Sequence, residues 1–233
     1  MNINGAFAEY AKITEGNVFK IDDNISDEMA CMFEPMGAGV HGVEEGHVSG
    51  KVVLISGLGA IGMTSVTAAK VLGASSVIAC ARSDKKLEIA KALGADHVIN
   101  RVTDNLEAEV KRLTDGLGVD VVIEVTGNEE AIRSGLRCVR SAGRFVCVGL
   151  PTKPITLNLT EDIIYREVEF TGVSGRKIWD TWVDFTEIIK DPRYKLEYVI
   201  GEKYAMIDYE KAIERLRSGK PGKNILYPGI FAE

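Results

Sequence analysis

The run Val52-Val53-Leu54-Ile55-Ser56-Gly57-Leu58-Gly59-Ala60-Ile61-Gly62 constrains this chain more than any other stretch, because an apolar strand passes straight into a glycine turn and then into a helical pattern. Gly57 permits the tight turn, Gly59 lets backbone approach a pyrophosphate, and Gly62 lets the next helix lie close on the strand. The exposed helix N-terminus then holds a phosphate, and Ala60 of the turn is expected among the cofactor-binding residues. Glycines punctuate any loop, so GxGxxG alone is a weak signal. The strand before it and the helix after it turn it into a dinucleotide-binding signature.

From Lys51 onward, strand and helix patterns alternate with short turns, the mark of an α/β fold in which a parallel sheet is covered on both faces. The pattern predicts strands at 52–56, 76–81, 97–100, 119–124, 144–148 and 168–173, and helices at 61–72, 85–93, 106–114 and 129–139. Each helix is expected to end at or near a glycine: Gly73, Gly94, Gly116 and Gly143. Six strands in this succession predict a Rossmann-type, doubly wound sheet of order 3-2-1-4-5-6, with the ligand crevice at the carboxyl ends of the strands.

The flanks have a different character. Residues 5–13 and 18–21 alternate like short strands, and Ser26 is expected to cap a helix through Asp27 and Glu28. At the other end, 179–190 reads as a helix with Trp182, Phe185, Ile188 and Ile189 on one face, stopped by Asp191-Pro192. Short extended pieces follow at 198–200 and 203–206, then a helix over 209–217 capped by Asp208, and a strand at 224–227. These last strands are expected to pair with those of residues 1–21. The organisation predicted is therefore a Rossmann domain over 46–175 with helix 177–190 attached, flanked by pieces of a second domain at 1–45 and 191–233.

Composition narrows the partners. A hydrophobic content of 45% suits a chain that buries a proper core, and a net charge of -6 argues against nucleic acid or an anionic membrane. No apolar run is long enough to span a bilayer, and residues 1–10 lack the regions of a signal peptide, so a cytoplasmic protein is expected. Cys31, Cys80, Cys138 and Cys147 show no CxxC spacing and sit in apolar segments, which reads as reduced, buried thiols rather than metal ligands.

Several further motifs match one family. Gly5-Ala6-Phe7-Ala8-Glu9-Tyr10, Phe33-Glu34-Pro35, the glycine loop and Leu93-Gly94-Ala95-Asp96-His97-Val98-Ile99-Asn100 resemble the medium-chain, zinc-dependent alcohol dehydrogenases. Gly172-Val173-Ser174-Gly175-Arg176, Trp179-Asp180-Thr181-Trp182 and Arg217-Ser218-Gly219-Lys220 look most like the L-threonine 3-dehydrogenase and polyol dehydrogenase branch. The resemblance implies hydride transfer between a nicotinamide and a small secondary alcohol, with a zinc ion polarising the alcohol oxygen. It also implies an amino-terminal GroES-like barrel before the segment matched by Gly5-Ala6-Phe7, whereas this sequence begins almost there. Of the family's zinc ligands, only the position matched by Glu34 is present. Glu34 is thus either a ligand whose companions come from elsewhere or a stranded carboxylate. His41 reads as structural, and His47 and His97 as peripheral.

The end of the second strand distinguishes NAD from NADP, because an acid there accepts hydrogen bonds from ribose hydroxyls and repels a phosphate. Here it is Ala81, followed by Arg82 and Ser83, a guanidinium and a hydroxyl suited to a 2'-phosphate. NADP is expected, with NAD as the alternative. Asp84 serves either the ribose or the helix that starts at Lys85. By resemblance, Ile61 lies beside the pyrophosphate, Lys86 at the adenosine ribose, Val148-Gly149-Leu150 and Val173-Ser174 toward the nicotinamide, and Lys223 near the phosphates. The family also implies a homo-oligomer formed edge to edge through the last Rossmann strand. The competing reading is a dinucleotide-binding subunit or remnant that lacks independent catalysis.

Overall fold

The computed structural model describes residues 5–191 and 195–228. Two helices come first, α1 (Asp27–Ala30) and α2 (Phe33–Glu45). The Ser26 hydroxyl accepts the Met29 N–H at the start of α1, as expected of that cap. Pro35 falls in the first turn of α2, where its missing N–H has no partner to lose.

The alternating unit follows: β1 (Val52–Ser56), α3 (Ala60–Val71), β2 (Ser76–Ala81), α4 (Asp84–Ala92), β3 (His97–Asn100), α5 (Leu106–Leu113), β4 (Val119–Glu124), α6 (Glu129–Cys138), β5 (Val139–Cys147) and β6 (Glu169–Gly172). The six strands form one sheet in the order β3-β2-β1-β4-β5-β6, parallel at every pairing. This is the doubly wound order read from the sequence. Successive side chains of a strand face opposite ways, and both faces are filled. Val53, Ile55, Val77, Ala79, Val121 and Ile123 pack with α2, α3 and α4 on one side. Leu54, Ile78, Val122 and Phe145 pack with α5 and α6 on the other.

Helix α2 belongs to the first of these layers. Met36, Val40 and Val43 are fully buried, and a Cβ on Gly39 would stand 2.8 Å from the Ile61 carbonyl oxygen, so the crossing of α2 over α3 depends on a residue without a side chain. The last described elements are α7 (Asp180–Ile188), β7 (Ile200–Ala205), α8 (Tyr209–Arg217) and β8 (Lys223–Tyr227). Phe185 and Ile188 of α7 are buried, and Phe185 meets Phe33 edge-on with centroids 4.7 Å apart.

Several sequence expectations are corrected. Residues 5–13 and 18–21 form no strand; only a short 3-10 turn, Glu15–Asn17, breaks an irregular path. Phe7, Tyr10 and Ile13 are 75%, 91% and 57% exposed, so the alternation has no sheet to face. The terminal strands consequently do not pair with the described residues 5–21. They pair with each other, β7 parallel to β8 across α8, because a connecting helix permits a parallel return. The two extended pieces expected at 198–200 and 203–206 are one strand, β7, between 3-10 turns at Leu196–Tyr198 and Met206–Asp208. Asp208 makes no cap hydrogen bond to α8; its carboxylate pairs with Lys211 at 2.8 Å. Gly143 ends no helix, since α6 passes directly into β5 at Val139. Pro192, expected to stop α7, lies outside the described residues, as do residues 1–4. Cys80 and Cys138 are buried, whereas Cys31 is exposed and Cys147 half-buried, and all four are free thiols. Among the described residues, no helix is long and apolar enough to cross a membrane.

Candidate dinucleotide-binding site

The glycine turn lies at the carboxyl end of β1, in the middle of the sheet. Gly57 has φ +102°, a left-handed conformation, and a Cβ there would fall 2.3 Å from Thr126 Cγ2. At Gly62 a Cβ would fall 1.9 Å from the Gly57 carbonyl oxygen, so α3 rests directly on the turn. Gly59 differs from both. Its φ is -81°, and nothing lies within 4 Å of the place its Cβ would take. The space it leaves is open to a ligand. Gly59 is also the N-cap of α3, with no side chain to satisfy the first N–H groups of the helix.

Two cavities meet along this turn. One, of about 900 Å³, is lined by Gly57, Gly59, Ala81, Arg82, Ser83 and Lys86, together with Arg101 and the Thr126 to Asn128 side. The other, of about 510 Å³ and largely apolar, is lined by Ala60, Ile61 and Gly62, again by Gly59 and Lys86, and by Lys223 with Tyr209, Ile213 and Leu226. The structure therefore brings together ten of the residues singled out from the sequence, divided between the two sides of one loop. Val148, Gly149, Leu150, Val173 and Ser174 line neither cavity. Val148 and Val173 are buried at the ends of β5 and β6, and Leu150 is 79% exposed.

The larger cavity is built for an anion. Arg82 and Lys86 make no ion pair among the described residues. Arg101 donates from Nη2 to the Ser134 hydroxyl at 3.0 Å, which anchors its guanidinium without neutralising it. Glu130 is the acidic side chain among the lining residues, and it is turned to Arg137, 3.4 Å away. Asp84 is not the cap of the helix, one of the roles expected of it. It lies in the first turn of α4 with Ser83 as N-cap, and its Oδ1 accepts a hydrogen bond from Asn100 Nδ2 at 2.6 Å. An uncapped helix start, an open glycine and unneutralised cations fit a phosphorylated ligand such as a dinucleotide.

Glu124, at the end of β4, is a residue that sequence reading missed. It is fully buried, and its carboxylate accepts the Thr126 N–H at 2.9 Å, the Thr126 hydroxyl, and the Gly127 N–H at 3.0 Å. These bonds offset the cost of burying the group. Its backbone oxygen also accepts Val148 N–H at 2.8 Å and Gly149 N–H at 2.9 Å. The Thr126 wall and the end of β5 thus hang on one residue. A strand ending in a carboxylate before Thr-Gly was the available sequence signal. For Arg101 there was none, since a basic residue after a strand is common.

Glu34 is neither buried nor stranded. Its side chain is 67% exposed and accepts from Arg176 Nη1 at 2.9 Å, and Arg176 lies over the Trp182 ring at 4.8 Å. His41 is buried with Nδ1 3.0 Å from the Gly175 carbonyl oxygen, in keeping with a structural role. Among the described residues, no three of His, Cys, Asp and Glu are grouped closely enough to hold a metal ion. They do not fit a zinc centre by themselves.

Comparison with known proteins follows the same lines. The family described as zinc-binding dehydrogenase matches residues 60–191. The L-threonine 3-dehydrogenase of Pyrococcus horikoshii is 38% identical over 224 residues, which cover 96% of this chain and 64% of that protein. This chain therefore spans less than two thirds of the length of that relative. Among solved structures, an alcohol dehydrogenase from Thermotoga maritima superposes with a TM-score of 0.83 at 26% identity, over 91% of this chain and 60% of that one. Galactitol-1-phosphate dehydrogenase from Escherichia coli, at 24% identity, shares the fold with a TM-score of 0.87 over 97% of this chain and 67% of its own. The family match takes in more than half of the sequence, and the chain belongs to the zinc-binding dehydrogenases.

Proposed function

We propose that this chain binds NADP(H) and serves hydride transfer between the nicotinamide and a small secondary alcohol of the threonine or polyol type. The observation that carries the reading is the cavity at the end of β2, where Ala81 stands in place of an acid and Arg82, Ser83 and Arg101 surround the opening. In this reading the α3 N–H groups hold the pyrophosphate, Arg82 and Ser83 hold the 2'-phosphate, Lys86 reaches the adenosine ribose, and Lys223 closes on the phosphates. Val148 to Leu150 and Val173–Ser174 present backbone and apolar surface toward the nicotinamide. The dinucleotide-binding unit is 46–175 with helix 177–190 attached, and 1–45 and 191–233 belong with a catalytic domain. Two copies join through β6, which among the described residues pairs with β5 alone and leaves its other edge open. The free thiols are in keeping with a cytoplasmic setting.

A second reading, a dinucleotide-binding unit without turnover of its own, is favoured by the engagement of Glu34 with Arg176 and by the lack of a ligand cluster among the described residues. Fluorescence titration with NADPH and NADH tests what the two share. A charge-assisted contact to the 2'-phosphate is worth about 1.5–3 kcal/mol, so NADPH is expected to bind at least about tenfold tighter, and Arg82→Ala to erase most of that margin. Equal or tighter NADH binding would refute the NADP assignment. Assays of threonine, butanediol and polyols with added zinc separate the readings: turnover supports the first, and binding without turnover the second.

A further inference from the structure

The carboxylate nearest to Ala81 in sequence, Asp84, does not line the cavity, although its neighbours Arg82, Ser83 and Lys86 do. What keeps it away is visible. Asn100 ends β3 directly beside Ala81 in the sheet. Its side chain is fixed at both ends: Oδ1 accepts the Val102 N–H at 3.0 Å, which turns the amide nitrogen toward Asp84, and Nδ2 then donates to Asp84 Oδ1 at 2.6 Å. The backbone on either side is held as well, with Asn100 N–H on Asp104 Oδ2 at 3.0 Å and Arg101 N–H on the Ala81 carbonyl at 2.9 Å. A carboxylate three residues beyond the end of β2, if it faced the ribose site, would accept hydrogen bonds from a diol and repel a phosphate. Fastened to Asn100, it does neither.

We propose that Asn100 is a positioning residue that sets nucleotide specificity: by latching the Asp84 carboxylate outside the cavity, it leaves Arg82, Lys86 and Arg101 to select a phosphorylated ribose. The inference rests on the reading of this cavity as the dinucleotide site. Asn100→Ala frees an acid at the rim, and Asp84→Asn removes the charge while leaving the Asn100 bond to Val102 in place.

The test is a double-mutant cycle read as the ratio of NADPH to NADH dissociation constants, measured by nucleotide fluorescence for the whole chain and for N100A, D84N and N100A/D84N. N100A is expected to move the ratio about tenfold toward NADH, and the same substitution in the D84N background to leave it unchanged. Loss of packing alone weakens both nucleotides together and does not produce this coupling. An unchanged ratio in N100A overturns the latch, as does an equal shift with and without the Asp84 charge. An unsubstituted chain that prefers NADH overturns the NADP assignment instead, while the coupling between the two positions still reports on the latch. Failure of both nucleotides to bind overturns both.

Discussion

Gly59 and Gly62 lie three residues apart on one turn, and their substitution by alanine is expected to give opposite signatures. At Gly62 the new Cβ would sit 1.9 Å from the Gly57 carbonyl oxygen, and that oxygen belongs to backbone fixed by the Gly57 N–H bond to Cys80. Helix α3 must withdraw by about 1 Å to relieve the contact. Overpacking of this kind costs about 1–3 kcal/mol, and a backbone obstacle puts the cost at the upper end. Helix propensity returns up to about 1 kcal/mol. The net of about 2 kcal/mol corresponds to a fall in Tm of roughly 4–8 °C in a chain of this size. Gly59→Ala meets no atom and has an ordinary φ. Its weaker capping, about 0.5–1 kcal/mol, is matched by the lower entropy of the unfolded chain, so Tm is expected to stay within about 2 °C. The methyl group, however, enters the space assigned to the pyrophosphate, and NADPH affinity is expected to fall by at least about tenfold. Differential scanning calorimetry and nucleotide titration of both variants check this. A Gly59→Ala protein that binds NADPH normally would falsify the assignment of the turn, and an unchanged Tm in Gly62→Ala would refute the contact on which α3 is said to rest.

Two further expectations concern pH. The Glu28 carboxyl is held down at about 2 by hydrogen bonds from Lys203 and then Tyr227, which tie α1 to β7 and β8. A depressed carboxyl stabilises above its ordinary value of 4.5 and loses that contribution as pH falls toward about 2. Glu28→Gln should therefore lower Tm at pH 7 and converge on the unsubstituted protein near pH 2; a gap that persists in acid counts against the linkage. Glu44 shifts the other way, up to about 7, through burial and then the neighbouring Asp184. Its contribution is complete below 4.5 and is lost as pH rises through about 7, so Glu44→Gln should match the parent at pH 4.5 and exceed it in Tm at pH 8. Thermal melts at both values decide the matter, and a difference independent of pH would remove Glu44 from the explanation.

The sheet was legible because its signals are local. A continuous apolar strand, a glycine turn and a capped helix each declare themselves within a dozen residues, and right-handed crossovers leave few ways to order six parallel strands. The flanks were not legible for the same reason. Residues 5–13 have the alternation of a strand, but alternation states only which side chains share a face and not whether a neighbour exists to complete the ladder. The site divides similarly. Gly57, Gly59 and Gly62 are functions of their own backbone and could be read in place. The bond between Asp84 and Asn100, the ion pair between Glu34 and Arg176, and the anchoring of Arg101 by Ser134 join residues brought together only by the folded sheet. The branch-specific run at Gly175-Arg176 thus had its residues read correctly while its partner, Glu34, was assigned to a metal or to isolation.

Glu124 has a consequence for motion. The carboxyl rim of a Rossmann sheet is made of loop backbone, which ordinarily opens to solvent far more readily than the strands beneath it. Here the amide hydrogens of Thr126, Gly127, Val148 and Gly149 all terminate on one fully buried residue, where water has no access to replace them. Loosening either wall of the groove costs bonds to the residue that also holds the other. Their amides are therefore expected to open together with the end of β4, and hydrogen exchange should find them slower than the other amides of this rim.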